Sequence, residues 1–225
     1  MRGPSKRSSS RRDILNQFPA TAYERQVVRY ASEHDGRLGM CYAEAADRLA
    51  STHRGRATDD ALLMPFLYLY RHAIELDLKY SIKFAAQLRR NEGHQDLLVD
   101  EDALNERLPK KHRHRLMALV EELDKHLAAL GLALTPTSVR RTLTLIATSD
   151  PSGETFRYTG ALPDEQDHID FPRLAQALAD AYRQTSTAWD ILSAYGDQQY
   201  DALEEYRAIQ ADLAAEIRAE YEDYG

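Results

Sequence analysis

Apolar positions recur at helical spacing along nearly the whole chain, and no stretch of useful length alternates in the two-residue rhythm of a strand. From about Ala20 to His53 the pattern is helical. Val27, Val28 and Ala31 form its first turns, Asp35-Gly36 is a turn signal able to split it, and Leu38, Cys41, Ala45 and Leu49 resume one apolar face. Thr58 is the expected N-cap of the next helix, with Asp59 and Asp60 favourable in the first turn. The longest apolar run, Leu62 to Leu88, predicts a long central helix. Arg71, Glu75 and Lys79 recur in it every four residues and stack into one stripe, with His72 at its edge. A helix that is apolar on most sides is packed by neighbours nearly all round, so these ionisable groups must pair or face a cleft.

Pro65 marks the start of that helix or a kink in it, and Gly93 marks its stop, with Arg89 and Arg90 suiting the negative pole. Residues 94–109 read as polar and irregular. Pro109 opens another helix with Leu116, Leu119, Leu123 and Leu127 on one face, and its first turns crowd Lys110, Lys111, Arg113 and Arg115 around His112 and His114. Cations are disfavoured at a helix N-terminus, so this cluster is either a solvated face or a patch for phosphate or an acidic partner. A shorter helix starts at Thr135-Pro136-Thr137-Ser138. A long loop comes after it, in which Thr155 to Tyr158 reads as an extended piece. Asp170 caps the next helix, Gly196 ends it, and a last helix runs from about Gln198 to Tyr224. The expected fold is an all-α, up-and-down bundle of about six helices with a long C-terminal helix. A disordered basic tail is expected over 1–15, a helical domain over 16–196, and an acidic helix for docking or dimerisation over 197–225.

Charge sharpens this picture. The 225 residues carry a net charge of −7, yet Arg2, Lys6, Arg7, Arg11 and Arg12 fall in the first twelve residues with no acid among them. The remainder holds 24 basic against 36 acidic side chains, a net of −12 that repels nucleic acid at long range. Any RNA contact must come from local basic patches. No apolar run reaches the length of a membrane span, the basic N-terminus is followed by no apolar core of a secretory signal, and the single Cys41 fits a reducing compartment; a cytoplasmic protein is expected.

Three pieces in order carry a resemblance: YRHAIELDLKYSI (70–82), EGHQDLLV (92–99) and DPSGETFRYTG (150–160). The set resembles a group of bacterial HEPN-like helical proteins, in which an Arg-His-x-x-Glu-Leu-x-Leu-Lys helix is followed by a Gly-His-x-Leu-type segment and a Phe-Arg-Tyr loop. It covers about residues 60–190. The resemblance implies a helical bundle that dimerises through helices. It also implies a role in bacterial defence against phage or in a toxin–antitoxin type system, either as a metal-independent endoribonuclease or as a non-catalytic RNA-binding module. RNase members carry an Arg and a His separated by four to six residues. Five such spacings occur here: Arg29/His34, Arg48/His53, Arg89/His94, Arg107/His112 and Arg107/His114. None has the Asn, Asp or His that usually follows the Arg.

For such cleavage a neutral His takes the 2′-hydroxyl proton and an Arg stabilises the developing phosphorane. The candidate catalytic set is Arg71, His72, Glu75, Arg89 and His94. The candidate binding set is Lys79, Arg90, Lys110, Lys111, Arg113, Arg157 and Tyr158; His72, Glu75, Lys79, Arg157 and Tyr158 join His94 and Arg89 or Arg90 if the 150–160 loop folds over the central helix. In the competing reading the Arg71–Glu75–Lys79 ladder is structural, and Arg157 and Tyr158 pin the loop by pairing with Glu75 or Asp77. No cofactor or metal is implied: the sequence has no Cys-His cluster, Gly-rich phosphate loop or Gly-x-Ser-x-Gly elbow. The alternative function is a non-catalytic helical module that engages a partner protein and dimerises through its acidic C-terminal helix.

Overall fold

The helical periodicity becomes six α-helices in a computed structural model, which describes residues 34–157 and 168–223, with side chains described to residue 218. They are α1 (Asp35–Ala50), α2 (Leu63–Asn91), α3 (Glu101–Arg107), α4 (Leu116–Ala129), α5 (Thr137–Ser149) and α6 (Phe171–Asp223). The described residues contain no strand, in keeping with the all-α expectation. The basic tail, the first half of the expected 20–53 helix and Tyr158 lie outside the described residues.

α2 is the pillar. Phe66, Tyr70, Ile74, Leu78 and Ile82 are buried on it, and α1, α4 and α6 pack round it. Tyr80 stacks on His34 while Tyr70 donates to Asp47, so α1 runs against α2. Phe66 meets Phe171 and Leu88 meets Gly196, so α6 runs with α2. The chain direction alternates from helix to helix except between α2 and α4, where α3 carries the chain back.

Several local expectations change in three dimensions. Asp35-Gly36 does mark a boundary: α1 starts there, with His34 Nδ1 accepting from Arg37 N. Asp59 rather than Thr58 organises the start of the next segment, accepting from the backbone of Arg54 (2.6 Å) and Arg56 (3.0 Å). α2 begins at Leu63, two residues before Pro65, and stops at Gly93, whose φ is +88°. The 94–109 stretch is not all irregular, because Asp100 caps α3 by accepting from Ala103 N (2.7 Å) and Leu104 anchors it in the core. The helix expected from Pro109 starts only at Leu116. Leu108–His112 form a π turn, and Arg113 takes a positive φ of 48°. Lys110, Lys111 and Arg113 therefore precede the pole of α4, while Arg115 stands at it as the N-cap residue. Thr155–Arg157 form a turn, not an extended piece. Gly196 does not end a helix either: α6 runs straight through it.

Candidate functional site

The stripe expected on α2 forms, and it is bonded. Arg71 Nη1 donates to Glu75 Oε2 (3.2 Å) and Lys79 Nζ to Glu75 Oε1 (2.6 Å). What the local spacing does not show is the rest of the network. Arg71 is only 4% exposed and turns inward under the 150–157 loop. Its Nη2 donates to the His114 carbonyl (2.5 Å) and, more weakly, to the Asp150 carbonyl (3.3 Å). Its Nε lies 2.8 Å from Asp150 Oδ2, an ion pair whose angle falls off the line of a hydrogen bond. Asp150 Oδ1 in turn accepts from Thr155 N (3.0 Å). One buried guanidinium thus ties α2 to the α4 entry and to the loop.

His114 completes the corner. Its Nδ1 lies 2.9 and 3.0 Å from the two Glu75 oxygens. Burial pushes the Glu75 carboxyl up, but the Lys79 ammonium and the His114 ring bonded to it outweigh that, and it is held below its usual range. An ionised Glu75 can only accept, so the proton between them sits on Nδ1, and in a neutral ring of this tautomer Nε2 is the accepting nitrogen. The His114 side chain is 40% exposed, which leaves that far edge of the ring to solvent. Two backbone features aim it. Arg113 holds a conformation rare for a residue with a Cβ. Gly153, at φ +80°, packs so closely that a Cβ there would lie 2.6 Å from His114 Cβ and 2.9 Å from Arg71 Nη1.

The rim beside this dyad is aromatic and basic. Tyr68 stacks on His72 (5.7 Å between centroids), Tyr42 meets His72 edge-on, and the Arg157 guanidinium lies 5.7 Å above the Tyr68 ring. Burial keeps His72 below the ordinary histidine range, hence neutral at pH 7. Arg157 donates to the Gly153 carbonyl (2.7 Å from Nε), so it holds the loop through its own backbone rather than through Glu75 or Asp77.

Arg89 and His94 belong elsewhere. Eighteen residues along α2 separate Arg89 from Arg71, about 27 Å of helix axis. There Arg89 is buried between Asp96 Oδ2 (2.5 Å), His126 Nδ1 (3.3 Å) and His94 Nδ1 (3.4 Å). Arg107 and His112 both bond Glu122, and Arg90 donates to the Val99 carbonyl. Two of the five Arg–His spacings, 89/94 and 107/112, are thus realised as polar struts under the α2–α4 connection. Lys110, Lys111 and Arg113 are exposed, with Lys110 paired to Glu106 (2.7 Å).

A cavity of about 780 Å³ lies at the far end of α2 against α6 and is lined by none of these groups. Of these groups His114 is partly exposed, while Glu75 and Arg71 beneath it are buried. Fold and site together define an all-helical protein with a carboxylate-held histidine on a basic, aromatic rim. Comparison with protein-family models, curated proteins and solved structures finds no match for this chain.

Proposed function

We propose that this chain is a HEPN-like helical protein that binds RNA and cleaves it at His114. The supporting observation is the orientation of His114: Nδ1 held by Glu75, the opposite ring edge in solvent. In this reading Nε2 takes the 2′-hydroxyl proton, the 2′-oxygen attacks phosphorus, and the 5′-oxygen leaves with a proton from water. Lys79 and Arg157 supply positive charge beside the phosphate, and Tyr68 offers a ring face to a base. Arg71 is a positioning residue, since it is buried and its guanidinium is engaged by Glu75, His114 and Asp150. The setting that the resemblance implies, a bacterial defence or toxin–antitoxin type system in the cytoplasm, belongs to the same proposal.

The test uses labelled single-stranded RNA in chelator, with binding read by anisotropy and cleavage by gel. His114→Gln is expected to lower the cleavage rate about 10²–10⁴-fold while leaving affinity within a few fold. Arg157→Ala is expected to weaken binding and reduce its salt dependence. RNA that stays intact with the wild type, or cleavage that survives His114→Gln, overturns the assignment. RNA bound but not cut would leave binding as the function.

A further inference from the structure

Glu75 has two claimants for the same pair of oxygens. Arg71 stands one helical turn before it on α2, and a buried guanidinium beside a carboxylate frequently takes both oxygens in a two-bonded fork. Arg71 does not. It gives Glu75 one long bond, Nη1 to Oε2 at 3.2 Å, while His114 Nδ1 lies 2.9 and 3.0 Å from the two oxygens. A nitrogen nearly equidistant from both oxygens stands between them, where a guanidinium fork would sit. Lys79 takes a further lone pair of Oε1 (2.6 Å). Glu75 therefore holds His114 in this way or Arg71 in a fork, not both.

Asp150 is what turns Arg71 aside. Its buried carboxylate puts Oδ2 2.8 Å from Arg71 Nε, and neither atom makes a hydrogen bond, so charge holds them together. The carbonyls of His114 (2.5 Å) and Asp150 (3.3 Å) take Nη2. Asp150 is itself fixed: its N–H donates to the Ile146 carbonyl (2.9 Å) at the end of α5, and its Oδ1 accepts from Thr155 N (3.0 Å). Two cations, Arg71 and Lys79, thus share two carboxylates, Glu75 and Asp150. Without the Asp150 charge, Glu75 is the one carboxylate left to pair with Arg71, and a buried cation lacking a full partner is strongly unfavourable. We propose that Asp150 is a positioning residue for His114: by holding Arg71 Nε it keeps the guanidinium from forking onto Glu75 and leaves Glu75 to orient the ring. Its bearing on catalysis rests on the reading of His114 as the general base, whereas its bearing on the ring does not.

The test reads the His114 tautomer by nitrogen–proton NMR through the carbon-bound ring protons, at about pH 9, above the ordinary imidazole range. Loss of the signals in His114→Gln assigns them. The wild type is expected to carry the proton on Nδ1, because the bond to Glu75 fixes the tautomer. Asp150→Asn keeps the size of the side chain and removes its charge. It is expected to shift the proton toward Nε2 with far-UV circular dichroism unchanged. In the same variant kcat for RNA cleavage is expected to fall at least about tenfold, toward the ~10²–10⁴-fold of a lost base, with KM within a few fold. A second variant does not need an unpaired Arg71 to be tolerated. In Arg71→Met, Asp150→Asn both charges are gone, and the proton is expected to return to Nδ1 because the competitor for Glu75 is absent. A purely structural Asp150 predicts the reverse, a double variant at least as disturbed as the single one. A wild-type proton on Nε2 overturns the proposal, as does a tautomer indifferent to Asp150→Asn or a double variant that does not regain Nδ1. The two readings fail separately. Intact RNA with an Asp150-dependent tautomer removes RNA cleavage alone, and His114-dependent cleavage with an Asp150-independent tautomer removes only the role of Asp150.

Discussion

Asp77 is on α2 facing α6, buried, with Oδ2 unpartnered and with Asp190 and Tyr182 of α6 as titratable neighbours. Burial first, then the Asp190 charge, pushes its carboxyl up to about 7. Unfolded, it titrates near ~3.9. Between these values the native state holds a proton that the unfolded chain has lost, so its contribution to stability falls as pH rises from about 4 to 7. Asp77→Asn removes that loss. Its stability advantage over wild type, measured by denaturant unfolding, should grow across this window to roughly 1–3 kcal/mol above pH 7. An advantage independent of pH would show that Asp77 is not protonated in the native state. His126 acts in the opposite sense. Burial and then the Arg89 charge lower it to about 4, so protonation of the unfolded chain costs stability as pH drops below about 6.5. The Asp77→Asn difference cancels this second slope, which is why it is the quantity to measure. The polar groups of α2 differ in how far they could be read from sequence. Arg71–Glu75–Lys79 was legible because four-residue spacing alone brings these side chains together. His114 and Asp150 were not, because they reach the network from 39 and 79 residues away. The available signal for His114 was its place in a basic cluster that made no sense as a helix start.

At the scale of elements, glycine separates two kinds of helix contact. Gly39 of α1 faces the α2 backbone: a Cβ there would lie 3.0 Å from the Ala73 carbonyl oxygen, which cannot move without shifting the helix. At Gly196 of α6 the nearest atom to a Cβ would be Leu88 Cδ2 at 3.1 Å, the end of a flexible side chain. Alanine gains up to ~1 kcal/mol over glycine inside either helix. Gly39→Ala should still lose stability, by roughly 1–3 kcal/mol through overpacking, while Gly196→Ala should come out within about 0.5 kcal/mol of wild type. Chemical denaturation of the two variants decides it, and equal effects would refute the distinction. This contrast also explains why Gly196 reads as a helix stop in the sequence. A glycine that allows close approach of another element and one that ends a helix are the same letter, and only the neighbour tells them apart.

Across the whole molecule, stability should be uneven along α6. Its first half shares the core with α2, whereas residues 200–218 are exposed throughout. Amide exchange in 203–217 should be fast, while exchange in 178–192 stays slow. Equal protection of the two segments would refute this unevenness. The helical class, the central position of α2 and the ladder on it were determined by the sequence alone, because helical periodicity and i,i+4 spacing are local properties of a chain. The join between His114 and Glu75, the lock of Arg71 on Asp150, the π turn before α4 and the passage of α6 through Gly196 were decided only by tertiary structure. Each depends on which distant segment supplies the partner for a buried charge or the space beside a backbone, and local periodicity holds no record of either.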